Sequence, residues 1–104
     1  MKIKINELTG AALNRAVAKC EGLDLVEEIE FSTDWSLGGP IIEREKIEWQ
    51  WLPASDKAHQ YGARPQGSRT GFCMDGPTVL VAAMRCYVAS KLGDEVDVPD
   101  EPLK

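Results

Sequence analysis

The chain has 104 residues, of which 43% are hydrophobic and 28% charged, and its formal net charge is −5. This length suits one core, so we expect residues 1–104 to form a single domain. The sequence has no apolar run of roughly 18 residues and no apolar secretion signal, so we expect a cytoplasmic protein that does not enter a membrane. Its net negative charge argues against general binding of nucleic acids.

The first helix signal lies near the N-terminus. Thr9 is a suitable N-cap, and Leu8 and Leu13 stand at the two positions of a hydrophobic staple. An apolar stripe with helical spacing consists of Leu13, Ala16, Val17 and Cys20. Gly22 supplies a left-handed stop. The sequence therefore predicts a helix over residues 9–21.

Several segments alternate apolar and polar residues with the period of a β-strand. They are the segment with Ile3 and Ile5, residues 24–31 with Leu25, Ile29 and Phe31, and residues 47–52 with Ile47, Trp49 and Trp51. A further short strand is predicted at residues 72–74.

A second helix is predicted between two of these strands. Asp34 could cap a helix that begins at Trp35, but the sequence Gly38-Gly39-Pro40 interrupts it. Proline is tolerated at the first helical position. We therefore predict a helix from Pro40 to about Lys46.

Residues 53–72 contain five glycine or proline residues in a polar stretch, which predicts one long polar loop. A loop of this length in a compact domain is either functional or disordered. The acidic end, residues 99–104, contains two prolines and is predicted to be a flexible tail.

The last helix is predicted over residues 77–92, with Pro77 in its first turn and Gly93 at its end. Its charged residues are Arg85 and Lys91, and a helix that is apolar on most sides is buried on most sides. Because short helices and strands would not cover it fully, we predict a homodimer or higher oligomer with this helix in or beside the interface.

The order of predicted elements indicates a small layered domain in which a short sheet is packed by about three helices. This order is typical of an α/β fold, with α+β as the alternative.

Metal, cofactor and enzyme motifs are not evident. Cys20, Cys73 and Cys86 are odd in number and widely spaced, which favours free thiols over disulfides or a zinc site. The single histidine, His59, could act as a general base, but a surface position is the more common use. The sequence lacks a nucleophile elbow, a phosphate loop and a dinucleotide fingerprint. We therefore predict a non-enzymatic protein without cofactors.

Two segments could bind a small anion. Arg64 and Arg69 lie among glycines, where guanidinium groups and exposed N–H groups together suit phosphate or carboxylate. Thr78 follows Gly76-Pro77 at a helix start, where unpaired N–H groups attract anions. A solvated loop and plain helix capping are the respective alternatives.

Three tryptophans lie within seventeen residues. Trp49 and Trp51 share one strand face, which indicates either a wall of the core, the favoured interpretation, or a stacking platform for a base. Trp35, with Gly38 and Gly39 after it, is another candidate binding position.

Arg85 is a fixed charge in the most apolar helix. A buried guanidinium needs a partner, and we expect an internal salt bridge with a carboxylate, with a ligand or a neighbouring subunit as the alternatives.

The sequence resembles the NinX-like proteins of phages in three stretches. These are residues 8–18 (Leu8-Thr9-Gly10-Ala11-Ala12-Leu13 and Ala16-Val17-Ala18), Trp35 with residues 39–45, and residues 76–96 from Gly76-Pro77-Thr78 to Leu92-Gly93-Asp94-Glu95-Val96.

The resemblance implies an accessory protein of lambdoid-type phages and prophages, in the cytosol of the host cell, and it brings no catalytic residues. By analogy with such proteins we expect a non-enzymatic protein that sequesters a small anionic, nucleotide-like ligand, such as one used in host defence. The alternative is an inhibitor or adaptor that binds a host protein through the acidic residues of segment 21–34.

Overall fold

The computed structural model describes residues 2–23, 29–53, 56–66, 74–93 and 95–97. The helices are α1 (Gly10–Cys20), α2 (Trp35–Glu45) and α3 (Val79–Leu92), and the strands are β1 (Lys2–Lys4), β2 (Ile47–Trp51), β3 (Tyr61–Pro65), β4 (Met74–Gly76) and β5 (Glu95–Asp97). Short 3-10 turns occupy Ile5–Glu7 and Lys57–His59. In these ranges no helix is long and apolar enough to cross a membrane.

The strands form two antiparallel sheets. One has the order β2-β3-β4, and the other pairs β1 with β5. Helix α3 packs across the three-stranded sheet, with α1 and α2 also against it. The fold is therefore α+β, the second of the two predicted classes. The connections between β2, β3 and β4 are too short for a parallel crossover, which explains why neighbouring strands run antiparallel.

Helix α1 confirms the first helix prediction. Leu8 and Leu13 are both buried, as a staple requires. Gly22 has a φ of 73°, its N–H bonds to the carbonyl of Lys19, and the next N–H, of Leu23, bonds to the carbonyl of Ala18. This pair of bonds satisfies carbonyls at the helix end, and glycine adopts the required left-handed conformation at no steric cost.

Helix α2 begins five residues earlier than predicted. Asp34 is its N-cap, and the Asp34 carboxylate accepts a hydrogen bond from the Ser36 N–H at 2.9 Å. Pro40 lies inside the helix, where it removes one backbone donor. The predicted start at Pro40 is wrong because a good cap and tertiary packing outweigh the local penalty of the Gly38-Gly39-Pro40 sequence.

Gly38 explains why this sequence lies in a helix. A Cβ atom at Gly38 would stand 2.6 Å from Leu80 Cδ2 and 2.6 Å from the Phe31 carbonyl oxygen. Only a residue without a side chain lets α2 approach α3 and residue 31 this closely.

Helix α3 is the centre of the core. Residues 80–88 are all buried, against α1, α2 and the sheet of the same chain. Thr78 is its N-cap and accepts a hydrogen bond from the Val81 N–H at 3.1 Å, so Pro77 precedes the helix rather than starting it. The chain covers this helix by itself, which removes the reason for placing α3 in a subunit interface. A homo-oligomer remains a prediction.

The predicted loop 53–72 contains regular structure, and that prediction is corrected. It includes the 3-10 turn Lys57–His59 and the strand β3, in which Ala63 is fully buried. β3 was not predicted because its glycine and alanine residues do not produce a clear alternation of apolar and polar side chains.

The strand predicted over residues 24–31 is absent from the part of it that the structure describes, residues 29–31. These residues lead into a turn in which the Thr33 N–H donates a hydrogen bond to the Glu30 carbonyl. Residues 24–28, 67–73 and the predicted tail 99–104 lie outside the described residues.

Candidate functional site

A cleft lies where the starts of α2 and α3 meet. Its volume is about 220 Å³, and its lining residues are Ser32, Thr33, Trp35, Thr78, Leu80 and Val81. The close approach at Gly38 brings the two helices together. Two residues predicted from the sequence to bind a ligand, Trp35 and Thr78, therefore line the same concave surface.

Trp35 is the exposed aromatic wall of the cleft. It is the first residue of α2, and 53% of its surface is exposed. An ideal Cβ atom at Gly39 would lie 3.5 Å from Trp35 Cε3, so the ring rests against the next turn of its own helix. The indole thus packs against its own helix and remains accessible to a planar ligand.

The start of α3 supplies polar groups to the cleft. The Thr78 hydroxyl accepts a hydrogen bond from the Val81 N–H. The N–H groups of Val79 and Leu80, in contrast, have no hydrogen-bond acceptor among the described residues. The first N–H groups of a helix lack intrahelical partners and carry a partial positive charge. They are the anion-attracting groups of this site.

Ser32 forms a rigid part of the opposite wall. Its N–H and its hydroxyl both donate to Asn14 Oδ1 on α1, at 2.9 and 2.8 Å. These bonds fix the turn that precedes α2. The cleft is therefore preformed by hydrogen bonds and packing.

The electrostatics of the cleft limit the charge of a ligand. Its lining residues include no lysine or arginine. Asp34, between Thr33 and Trp35, has its carboxyl pKa lowered by hydrogen bonds from the Ser36 hydroxyl and N–H, so it is ionised near neutral pH. An anion would be held by N–H groups and would carry few charges.

Arg64, one of the two arginines predicted to bind an anion, lies in a strand and not in a loop. Arg64 belongs to β3 and forms an ion pair with Glu48 on β2, with 3.6 Å between Nε and Oε1. Its place in the sheet corrects its assignment to the predicted polar loop 53–72. Arg69 lies outside the described residues.

Trp49 and Trp51 are exposed, so the favoured prediction of a core wall is wrong. Their exposed fractions are 48% and 56%, and the Trp49 and Tyr61 rings meet edge-to-face at a centroid distance of 6.4 Å. Both lie on the sheet face that packs against α3, because Trp51, Tyr61 and Gly76 stand opposite one another and Gly76 is close to α3. β2 is at the sheet edge, and its tryptophans extend beyond the helix.

Arg85 has a structural role instead of the predicted carboxylate partner. It is 4% exposed, and it donates from Nε to the Leu8 carbonyl at 2.8 Å and from Nη1 to the Asp75 carbonyl at 2.6 Å. Burial lowers the pKa of its guanidinium, although the nearby charge of Asp75 acts in the opposite direction. Arg85 thereby joins three segments of the chain.

A histidine–aspartate pair escaped sequence analysis. His59 Nδ1 lies 2.6 Å from Asp75 Oδ1, and Asn6 Nδ2 donates to the same oxygen at 3.2 Å. The hydrogen bond and charge of Asp75 raise the pKa of His59. Asn6, His59 and Asp75 are far apart in sequence, so no local motif predicts that they contact one another.

A second unpredicted cluster joins the ends of the three helices. Arg44 forms two hydrogen bonds with the Glu21 carboxylate, at 2.6 and 3.1 Å, and one with Glu45 at 2.9 Å. The Tyr87 hydroxyl donates to Glu21, and burial is the main cause that raises the Tyr87 pKa. These groups satisfy one another, and the cluster stabilises the fold. Within the described residues no cluster of ligating side chains could hold a metal ion.

Comparison with known families identifies the chain. A family model described as bacteriophage P22 NinX matches residues 27–91, which is more than half of the sequence. The chain belongs to the NinX family. This confirms the resemblance seen in the sequence, and the match contains every residue that lines the cleft. NinX membership supports a phage accessory protein of unknown function. A search of curated proteins finds no match.

Proposed function

We propose that this NinX-family chain is a non-enzymatic binding protein that takes up a small, planar, anionic, nucleotide-like ligand between α2 and α3. The supporting observation is that the exposed ring of Trp35 lines a cleft beside the first turn of α3, where the Val79 and Leu80 N–H groups have no acceptor among the described residues. A base stacked on an aromatic side chain gains about 1–3 kcal/mol, and helix N-termini bind phosphate or carboxylate groups.

The size and charge of the cleft restrict the ligand class. A volume of about 220 Å³ is small beside ordinary ligand pockets, so it suits a base or a mononucleotide part rather than a long polyphosphate. Without a cationic side chain in the lining, and with a chain charge of −5, a highly charged ligand would be repelled. The role we propose is sequestration of such a molecule in the infected cell, as part of a counter-defence function.

A thermal-shift screen of mononucleotides and cyclic nucleotides tests this function. A ligand at one hundred times its Kd stabilises the folded protein by about 2.7 kcal/mol, which is a readily visible rise in melting temperature. Trp35→Ala should remove this stabilisation. Trp51→Ala is the matched control, because Trp51 is equally exposed but does not line the cleft.

Two outcomes would contradict the ligand proposal. One is that no nucleotide in the panel stabilises the parent protein. The other is that Trp35→Ala binds a stabilising nucleotide as tightly as the parent does, in which case the ligand lies elsewhere.

The alternative is an inhibitor or adaptor that binds a host protein. The observation that favours it is the exposure of Trp49 and Trp51, since exposed tryptophans commonly dominate protein interfaces. The acidic segment is a weaker basis, because Glu21 is already paired with Arg44. The double change Trp49→Ala and Trp51→Ala should release a captured host protein under this alternative, whereas Trp35→Ala should retain it.

A further inference from the structure

The strand β2 is an edge of the three-stranded sheet, and its hydrogen-bond pattern shows which groups are free. The Leu52 N–H donates to the Gln60 carbonyl at 2.6 Å, and the Gln66 N–H donates to the Lys46 carbonyl at 3.0 Å. In an antiparallel pair every second residue bonds to the neighbouring strand. Residues 46, 48, 50 and 52 therefore face β3 with their backbone groups.

The backbone groups of Ile47, Trp49 and Trp51 consequently point away from β3. Across the part of the chain that the structure describes, no backbone group bonds to them. Such a row of three N–H and three carbonyl groups is a template for another strand. The strand carries one charge, Glu48, and neither a lysine nor a proline that would block such pairing.

The side chains of this edge add apolar surface to the free backbone groups. Trp49 and Trp51 project on the α3 side of the sheet and remain about half exposed. An exposed edge strand with two tryptophans is the arrangement that soluble proteins avoid unless it is used for association.

We propose that β2 pairs antiparallel with β2 of a second copy of this chain, about a two-fold axis at Trp49. The two three-stranded sheets then form one six-stranded sheet. The tryptophans of both copies lie in the space between the two α3 helices. The interface is isologous, since the same five residues contribute from each side.

The charge pattern of the strand allows a second copy to pair along all five residues, and it favours this register. With the axis at Trp49, Glu48 stands opposite Gln50 of the partner subunit, and Ile47 stands opposite Trp51 of the partner subunit. An axis at Glu48 would place two carboxylates opposite each other, which is destabilising. An axis at Gln50 would leave Ile47 unpaired. Only the axis at Trp49 pairs the whole strand without opposing like charges.

Substitution of Gln50 tests both the dimer and its register. Gln50→Lys places an ammonium opposite Glu48 of the partner subunit twice in each dimer, whereas Gln50→Glu places a carboxylate there. Because cross-strand charge pairs are modest, we expect the dimer Kd to fall about 2- to 30-fold for Gln50→Lys and to rise by a similar factor for Gln50→Glu. Sedimentation equilibrium measures both changes.

Gln66 supplies the matched control. It is exposed and lies beyond the end of β3, outside the proposed interface. Gln66→Lys and Gln66→Glu change the net charge in the same way, and we expect each to leave the dimer Kd within about twofold of the parent value. Circular dichroism melting curves verify that all four variants fold.

The proposal is overturned by either of two results. The first is a parent protein that remains an 11.5 kDa monomer at several hundred micromolar, which would leave the edge available to a host protein. The second is a dimer whose Kd responds equally to Gln50→Lys and Gln50→Glu. Neither result affects nucleotide binding at Trp35, so the two proposals fail independently.

Discussion

At the scale of single residues, His59 is a group whose pKa the fold raises through a contact with a distant part of the chain. It is the only histidine of the chain, and Asp75 raises its pKa above the ordinary value of 6.5 by a hydrogen bond and by charge. Asn6, from a distant segment, forms two hydrogen bonds with Asp75. Asn6 Nδ2 donates to the Asp75 carboxylate, and the Asp75 backbone N–H donates to Asn6 Oδ1. Protonation of His59 is therefore linked to the contact between the N-terminal turn and β4.

The sign of this linkage gives a pH prediction. A raised folded-state pKa contributes stability that is fully present below pH 6.5 and is lost as the pH rises through the folded pKa. We expect the parent to lose stability between about pH 6.5 and the folded pKa of His59, and His59→Gln to show a flatter dependence in that range. Urea denaturation at several pH values measures this difference.

The NMR titration of the His59 ring is an independent check. A folded pKa at or below 6.5 would contradict the linkage, as would a His59→Gln variant with the pH dependence of the parent. Asp75→Asn is a useful companion variant, because it keeps the shape of the side chain and removes the charge that raises the pKa.

At the scale of elements, the close approach of α2 and α3 shapes the candidate site. Gly38 and Gly39 are consecutive in α2, yet they have different surroundings. A Cβ atom at Gly38 would collide with Leu80 and with the fixed Phe31 carbonyl, both at 2.6 Å, whereas a Cβ atom at Gly39 would make ordinary contact with Trp35 at 3.5 Å.

The two glycines give a matched pair of predictions. Gly38→Ala should destabilise the protein by about 1–3 kcal/mol through overpacking, and it should alter the cleft because Leu80 lines it. Gly39→Ala should be neutral or stabilise by up to about 1 kcal/mol, since alanine is the better helix former. Denaturant unfolding of both variants measures the difference. Equal effects of the two changes would show that the approach of α2 to α3 is not rigid.

These same elements mark the limit of what the sequence predicted. Helix α1 was predictable because its apolar periodicity agrees with its caps, and α3 because a long apolar run lies between Pro77 and Gly93. The start of α2 was not, since the need for Gly38 arises from Leu80, 42 positions along the chain. β3 was missed because its buried residues, Gly62 and Ala63, are small and give little contrast.

At the scale of the whole molecule, the candidate site could also be predicted only in part from the sequence. The sequence singled out Trp35 and Thr78 by residue type, but only the tertiary fold places them around one cleft. Local glycines suggested an anion site at Arg64, and an apolar helix suggested a salt bridge at Arg85. The fold assigns Arg64 to a cross-strand ion pair and Arg85 to two carbonyls. Partners distant in sequence decide what a charged residue does, and single-sequence patterns do not contain them.

Net charge opposes the self-association proposed for β2, and this gives a prediction about salt. Each copy carries a charge of −5, so two copies repel one another at long range while the edge strands attract at contact. With charge centres roughly 25 Å apart, this repulsion is about 1–2 kcal/mol at 0.01 M salt and is almost fully screened at 0.5 M.

We therefore expect the dimer Kd to fall about tenfold between 0.01 M and 0.5 M sodium chloride. Sedimentation equilibrium at both salt concentrations measures this change. The Gln50→Lys dimer should gain less from salt, because added salt also screens its two new cross-strand attractions and each copy starts from a lower net charge. A parent dimer that weakens as salt increases would instead indicate an interface held by opposite charges, and the apolar edge of β2 would then not be the surface that joins the copies.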